Sequence, residues 1–370
     1  MKAAMERLRI LHITSESGWR GGENQLSLLM RQQRGAGHSA ALAAPPGSMI
    51  AEKAMQQGSK VFSLKQRSDL DLFAAWGLSH IIQTYECDLL HAHSGRAHAI
   101  AALAKRLGKQ ILPLVVSRRV AFPLKKRPWN CLKYRTADHF IAISNAAASP
   151  LQQLGVNNQA ITIVPDGIDT ERFEESREPN VRKEFGISDD VFVIGNIAHC
   201  ESNKNQSFIL DAAPSVLNAH PQTKFIIIGD GPELENLRRQ ANALGIQDQM
   251  IFTGFRKDIE RFYRSFNCFV MTSLEEGLCS SILEAQCCGV PVVAMKSGGI
   301  PEIIVHNQSG LLFPQNDNQA FIAAIDKYIQ DNSFAQTIGQ AGRQSVLENF
   351  TIASVAERTL DVYRKVIRRM

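Results

Sequence analysis

Short apolar runs rich in Ile, Leu and Val recur along almost the whole chain, each followed by a stretch of helix-like patterning, and this alternation limits the fold more than any other feature. Runs at residues 8–13, 39–43, 60–64, 88–92, 111–116, 140–144 and 161–164 read as one set of strands, and those at 191–197, 224–228, 250–255, 268–271 and 311–313 as a second. Strands alternating with helices describe an α/β protein whose parallel sheets are covered on both faces. At 370 residues the chain exceeds what one hydrophobic core fills, so two such domains are expected.

Apolar residues make up 44% of the chain, enough for globular cores, yet no uninterrupted apolar stretch reaches the ~18–20 residues of a membrane-spanning helix. The N-terminal segment carries Glu6 and Arg9 just ahead of a short strand-like run, unlike a secretory leader with its longer apolar centre, so a cytoplasmic protein is expected. Seven cysteines, without a CxxC pair or a Cys/His metal spacing, agree with that compartment, and adjacent Cys287 and Cys288 read as packing residues.

The chemistry concentrates in residues 273–302, SLEEGLCSSILEAQCCGVPVVAMKSGGIPE. Glu276 lies in the loop after an apolar run, and Glu284 follows eight residues later on the helix that the loop opens. At about 3.6 residues per turn, eight positions return a side chain near the same face, so both carboxylates address one extended polar ligand. Between them Gly277 permits a tight turn, and the N–H groups of Leu278, Cys279 and Ser280 are expected as unpaired donors at the helix start, where the dipole attracts phosphate. Hydroxyls at both ends and phosphates in the middle describe a nucleotide sugar.

With Gly289, Pro291 and the run Ser297-Gly298-Gly299-Ile300-Pro301-Glu302, this stretch resembles the E-x7-E signature of retaining glycosyltransferases, specifically glycosyltransferase family 4. The resemblance implies the GT-B fold, two facing Rossmann-like domains with an interdomain cleft. It gives Glu276 the hydroxyls of the transferred sugar and Glu284 the ribose of the nucleotide. It also implies domain limits of 1–170 for an acceptor-binding domain, 171–350 for a donor-binding domain, and a C-terminal helix at 351–370 that crosses back to the first.

Other segments extend the resemblance. The first strand-like run leads into a loop containing Gly21 and Gly22, placed where family members approach the donor diphosphate or the acceptor. Residues 88–92 run into His91-Ala92-His93; by resemblance His93 comes close to the transferred sugar, the alternative being a histidine bonded to a backbone carbonyl. A zinc site is not expected there, since no third ligand stands nearby in sequence. Residues 164–169, VPDGID, resemble the family's linker. In the loop 198–205 the family carries an Arg and a Lys five positions apart that grip the diphosphate; Lys204 matches the lysine, but His199 stands at the arginine position. An imidazole offers a hydrogen bond without the charged fork of a guanidinium, which leaves the arginine's role open. The GDGP turn at 229–232 lacks the third glycine of a dinucleotide fingerprint and matches a turn the family places beside the nucleotide, with Phe255 and Arg256 as candidates for the base edge. Asp69-Leu70-Asp71 imitates a metal-binding D-x-D motif but reads as a helix cap and a solvated residue, so neither metal nor cofactor is expected.

Between Leu89 and Ala137 eleven basic residues occur without one acidic residue. Over residues 117–135 they alternate with Phe122, Leu124, Trp129 and Tyr134, which suits an anionic membrane surface, a phosphorylated acceptor or a solvated loop. No nucleic-acid motif accompanies the charge, so nucleic acid is not an expected partner. Together these features imply a glycosyltransferase that moves a hexose-type sugar from a nucleoside diphosphate to a glycolipid or glycan of the cell envelope, with a lipopolysaccharide-type acceptor favoured. The alternatives are a sugar phosphorylase or nucleotide-sugar epimerase on the same fold, or a non-catalytic glycan-binding protein.

Overall fold

The computed structural model describes residues 7–109, 111–125, 128–174 and 181–369, without the side chains of 128–130 and 174. Lys126, Arg127 and the side chain of Trp129, part of the basic run, lie outside what is described, as does Glu6. The chain divides into two compact units, one made of the residues up to Gly167 together with those from Ile352 onward, the other of Ile168–Thr351.

The first unit holds a seven-stranded parallel sheet of β1 (Arg9–Ile13), β2 (Ser39–Ala44), β3 (Val61–Ser63), β4 (Leu89–Ala92), β5 (Leu114–Arg118), β6 (His139–Ala142) and β7 (Ile161–Ile163), in the order β3-β2-β1-β4-β5-β6-β7. Successive residues of a strand point to opposite faces. Leu11, Ile13, Leu90 and Ala92 therefore join one buried cluster with the helices Leu72–Tyr85 and Gly95–Leu107. Ile10 and Leu89 join the other with Val355, Leu360, Val362 and Tyr363 of the C-terminal helix Ile352–Ile367. His12 and His91 alternate with these residues, fall on the second face, and are direct neighbours in the parallel register of β1 and β4.

The second unit holds a six-stranded parallel sheet of β8 (Phe192–Ile197), β9 (Thr223–Ile228), β10 (Met250–Gly254), β11 (Cys268–Met271), β12 (Val292–Met295) and β13 (Leu311–Phe313), in the order β10-β9-β8-β11-β12-β13. β12 is not among the expected strands; its four residues sit inside the signature, between Pro291 and Lys296. No described helix is long and apolar enough to cross a membrane.

Candidate active site

In both sheets the strand order reverses once, between β1 and β4 and between β8 and β11. At such a switch point the loops leaving the carboxyl ends of adjacent strands turn apart and open a crevice for ligand. His93 lies on such a loop of the first unit, and Lys204, His199, Glu276, Gly277, Leu278 and Cys279 on those of the second.

In the second unit, the loop after β8 carries Lys204 and the loop after β11 carries Glu276, and their side chains meet, Lys204 Nζ lying 2.7 Å from Glu276 Oε1. The loops are tied together by backbone: Thr272 Oγ1 donates to the carbonyls of Lys204 and Asn205, and the Leu274 N–H donates to Asn203 O at 2.8 Å. A third loop clamps them. Ser297 Oγ donates to Ser273 O at 2.7 Å, and the Gly299 N–H donates to Glu276 O at 3.0 Å. Gly298 has φ +48, and a Cβ there would stand 1.8 Å from Glu276 O, so the close approach of these backbones requires glycine. Burial works against the Lys204 ammonium, but Glu276 and the other nearby anionic groups outweigh it and raise its pKa, keeping it charged.

The signature helix is Ser280–Cys287, with Cys279 as its N-cap at φ +85. Glu276 thus precedes the first helical residue by four positions, and helical periodicity does not relate it to Glu284; the Ser297–Gly299 clamp sets its place instead. Of the amides expected at the helix mouth, only that of Ser280 belongs to the helix; Gly277 and Leu278 lie in the preceding loop, with Leu278 buried.

Glu284 is buried and accepts a hydrogen bond from Tyr263 Oη at 2.9 Å. Burial raises its pKa from an ordinary 4.5 to about 7, against the opposing pull of Tyr263 and Arg172. A carboxyl that holds its proton more tightly when folded destabilises the fold as pH rises from 4.5 through 7, by up to about 3 kcal/mol at pH 8. Glu284→Gln is therefore expected to be more stable than the parent by about 2–3 kcal/mol at pH 8 and nearly equal to it at pH 4.5, where both side chains are neutral. Urea unfolding at the two pH values checks this; an equal gain at both would remove the titration as its cause.

The remaining candidates of this unit are placed as follows. His199 is exposed, and its carbonyl accepts from Gln206 Nε2. Phe255 is 64% exposed just beyond β10. Arg256 is taken up by its neighbours: a two-pronged bond to Asp258 at 2.8 Å on each arm and a further one to Glu184 at 2.9 Å. The two acids raise its pKa, and it drives that of Asp258 down to about 2.

In the first unit Gly21 and Gly22 are the first two residues of the helix Gly21–Gly35 rather than part of the loop before it, and Glu23 caps that helix by accepting from the Arg20 N–H. Asp71 caps the helix Leu72–Tyr85 by accepting from Ala74 N at 3.0 Å, while Asp69 pairs with Lys133. His93 follows β4 directly. The spacing reading found no third histidine, but the β1–β4 register supplies His12, and ring nitrogens of His12, His91 and His93 lie within 4.8 Å of one another. Burial, then the neighbouring imidazoles and Arg119, holds His91 and His93 well below the usual histidine range, and burial takes His12 to about 4. All three are neutral. Both nitrogens of His12 and of His91 already have hydrogen-bond partners within the protein, so proximity alone does not make the trio a metal centre.

The basic run is not a uniform solvated patch. Lys105 pairs with Asp138, Arg119 with Asp166 and Lys133 with Asp69, and Lys133 and Tyr134 are buried. Val120, Phe122 and Leu132 remain exposed.

The same architecture occurs in the crystal structures of Anabaena HepE in complex with UDP, with a TM-score of 0.84 at 22% identity over 97% of this chain and 100% of that one, and of a Rickettsia africae glycosyltransferase, with 0.88 at 18% over 99% and 100%. Two doubly wound parallel units, each with a polar cluster at its switch point, define the class of fold, GT-B. Family models agree, Glycosyltransferase Family 4 matching residues 19–172 and Glycosyl transferases group 1 matching residues 177–345. Among similar proteins, the N-acetyl-α-D-glucosaminyl L-malate synthase of Bacillus anthracis is 25% identical over 314 residues, 83% of this chain and 82% of the relative. The UDP-Gal:α-D-GlcNAc-diphosphoundecaprenol α-1,3-galactosyltransferase of Escherichia coli is 25% identical over 309 residues, 79% of each chain. The chain belongs to glycosyltransferase family 4.

Proposed function

We propose that the protein transfers a hexose-type sugar from a nucleoside diphosphate to a hydroxyl of a cell-envelope glycolipid or glycan, with a lipopolysaccharide-type acceptor favoured and with retention of the anomeric configuration. The observation that carries this reading is the Lys204–Glu276 pair, clamped on two loops at the carboxyl edge of a switch point. A cation held there offsets the charge that develops on a leaving diphosphate, and a positioned charge of this kind commonly dominates such catalysis. Glu276 orients the sugar hydroxyls and Glu284 the ribose, and His93 is assigned a sugar hydroxyl. Gly277, Leu278, Cys279 and Ser280 are assigned to the diphosphate with His199 beside them, Gly21 and Gly22 to the diphosphate or the acceptor, and Phe255 and Arg256 to the base edge. No side chain is assigned as a nucleophile. Lys204 answers the diphosphate charge without a metal or cofactor.

The relatives' names support the class of substrate: the Escherichia coli protein is named for UDP-Gal and a diphosphoundecaprenol-linked acceptor. A membrane-borne acceptor also suits the surface of the first unit. Leu70, Leu72, Phe73 and Trp76 stand exposed around the start of one helix, Phe73 at 88%. A cluster of exposed apolar and aromatic side chains fits the surface of a bilayer.

The test incubates the purified protein with a panel of UDP- and GDP-sugars and with lipid-linked acceptors in anionic vesicles. Expected are donor-dependent thermal stabilisation, a product with the donor's anomeric configuration, and activity that persists with a chelator. Inverted product, loss with chelator, or sugar 1-phosphate formed from inorganic phosphate would each overturn the corresponding part.

A further inference from the structure

The three histidines of the first unit belong to a continuous chain of hydrogen bonds through groups that no sequence motif connects. Ser117 Oγ lies 2.8 Å from His91 Nε2, His91 Nδ1 lies 2.5 Å from Tyr363 Oη, and Gln33 Nε2 donates to Tyr363 Oη at 3.3 Å. The Gln33 Oε1 lies 2.8 Å from His12 Nε2, and His12 Nδ1 lies 2.9 Å from His93 Nε2. The chain ends at His93 Nδ1, which is buried and has no partner among the described residues.

An amide has one donating and one accepting end, so Gln33 makes the chain directional. With its NH₂ group toward Tyr363, its oxygen faces His12, and His12 must donate from Nε2. His12 Nδ1 is then an acceptor, His93 donates to it from Nε2, and His93 Nδ1 is left with a bare lone pair. On the far side Tyr363 donates to His91 Nδ1, and His91 donates from Nε2 to Ser117. Turning the amide round would reverse every bond and leave His93 with a buried N–H that has no acceptor. Orphaned buried N–H groups are rarer than under-used acceptors, which favours the first direction. Burial and Arg119 keep the imidazoles neutral, as a chain with one proton per ring requires.

We infer that Gln33, anchored by Tyr363 and acting through His12, fixes the tautomer of His93, so that a hydroxyl reaching His93 Nδ1 meets a hydrogen-bond acceptor and not a donor. Gln33 and Tyr363 are positioning residues; the catalytic consequence rests on the function proposed above, whereas the tautomer does not.

The test uses the full chain with ¹⁵N-labelled histidine and long-range ¹H–¹⁵N spectra at neutral pH, where the two tautomers have different signatures. His12, His91 and His93 are all expected as Nε2–H forms; an Nδ1–H form or an imidazolium at His93 overturns the inference. Because free imidazole also leans toward Nε2–H, the deciding variant is Gln33→Met, of similar volume but without the acceptor. With the variant shown to be folded by its unfolding transition, His93 is expected to become a mixture containing Nδ1–H while His91 stays as it was. An unchanged His93 overturns the inference, and so does a stoichiometric metal bound by the three rings. Turnover in Gln33→Met is expected to fall on the order of tenfold with little change in KM for the donor; unchanged turnover would overturn the positioning role, while a protein that never transferred sugar would instead fail the function proposed above.

Discussion

Glu276→Ala is expected to lower kcat/KM for sugar transfer by about 10²–10³-fold, on the order of 3–4 kcal/mol of transition-state stabilisation, while the protein stays folded. The separation follows from how the loop is held. The Glu276 carbonyl is fixed by the Gly299 N–H and its surroundings by Ser297 and Asn203, none of which involves the carboxylate. Alanine therefore keeps the backbone path and removes only the group that orients the sugar and pairs with Lys204. The Lys204 side chain is 20% exposed and can turn to water, so the lost ion pair costs stability only about 1–2 kcal/mol. Initial rates together with urea unfolding check both halves; undiminished transfer refutes the role of Glu276, and global unfolding refutes the argument about the loop.

Gly298→Ala attacks the same residue from the backbone side. The added methyl would stand 1.8 Å from Glu276 O, an atom with no flexible bond to swing aside, and φ +48 adds the ordinary left-handed penalty. Either the Ser297–Gly299 loop or the Glu276 peptide must shift by more than an ångström. A loss of about 2–4 kcal/mol in unfolding free energy is expected, with a drop in kcat/KM of about a hundredfold even at temperatures where the variant is folded. Chemical denaturation and initial rates measure the two effects. A variant with parental stability and rate would show that the clamp does not set the position of Glu276.

The alternation of apolar runs was enough to expect two parallel sheets, because strands buried on both faces leave compact apolar signatures. Residues 268–271 and 311–313 have the limits expected from the sequence. The part of the site visible in the sequence was the part carried by a local pattern, the two glutamates with their glycines and Lys204. The spacing argument for the glutamates failed in its geometry, since helical periodicity begins only at Ser280. The rest depends on partners far apart along the chain. His12 meets His91 across 79 positions because two strands pair in parallel register, and Tyr263 reaches Glu284 only after the second sheet has formed. The partners of Arg256 gave no sign in the sequence, because Glu184, far upstream, converges on it with Asp258 only in the fold. Gly298 read as part of a motif; its physical reason, the carbonyl of Glu276, is visible only in three dimensions.

The first unit is completed by the last helix, and this bears on synthesis. Ile10, Leu89, Val115 and Ile141 have their cover only when Val355, Leu360, Val362 and Tyr363 arrive. On the ribosome the leading segment thus waits with part of one face of its sheet uncovered while the middle of the chain is made and folds. The order usual for multidomain proteins, first made and first finished, is inverted. A stop codon anywhere before residue 352 would leave a nascent product with a sticky apolar surface for chaperones and proteases to find, and would take away the phenol at the centre of the histidine chain as well.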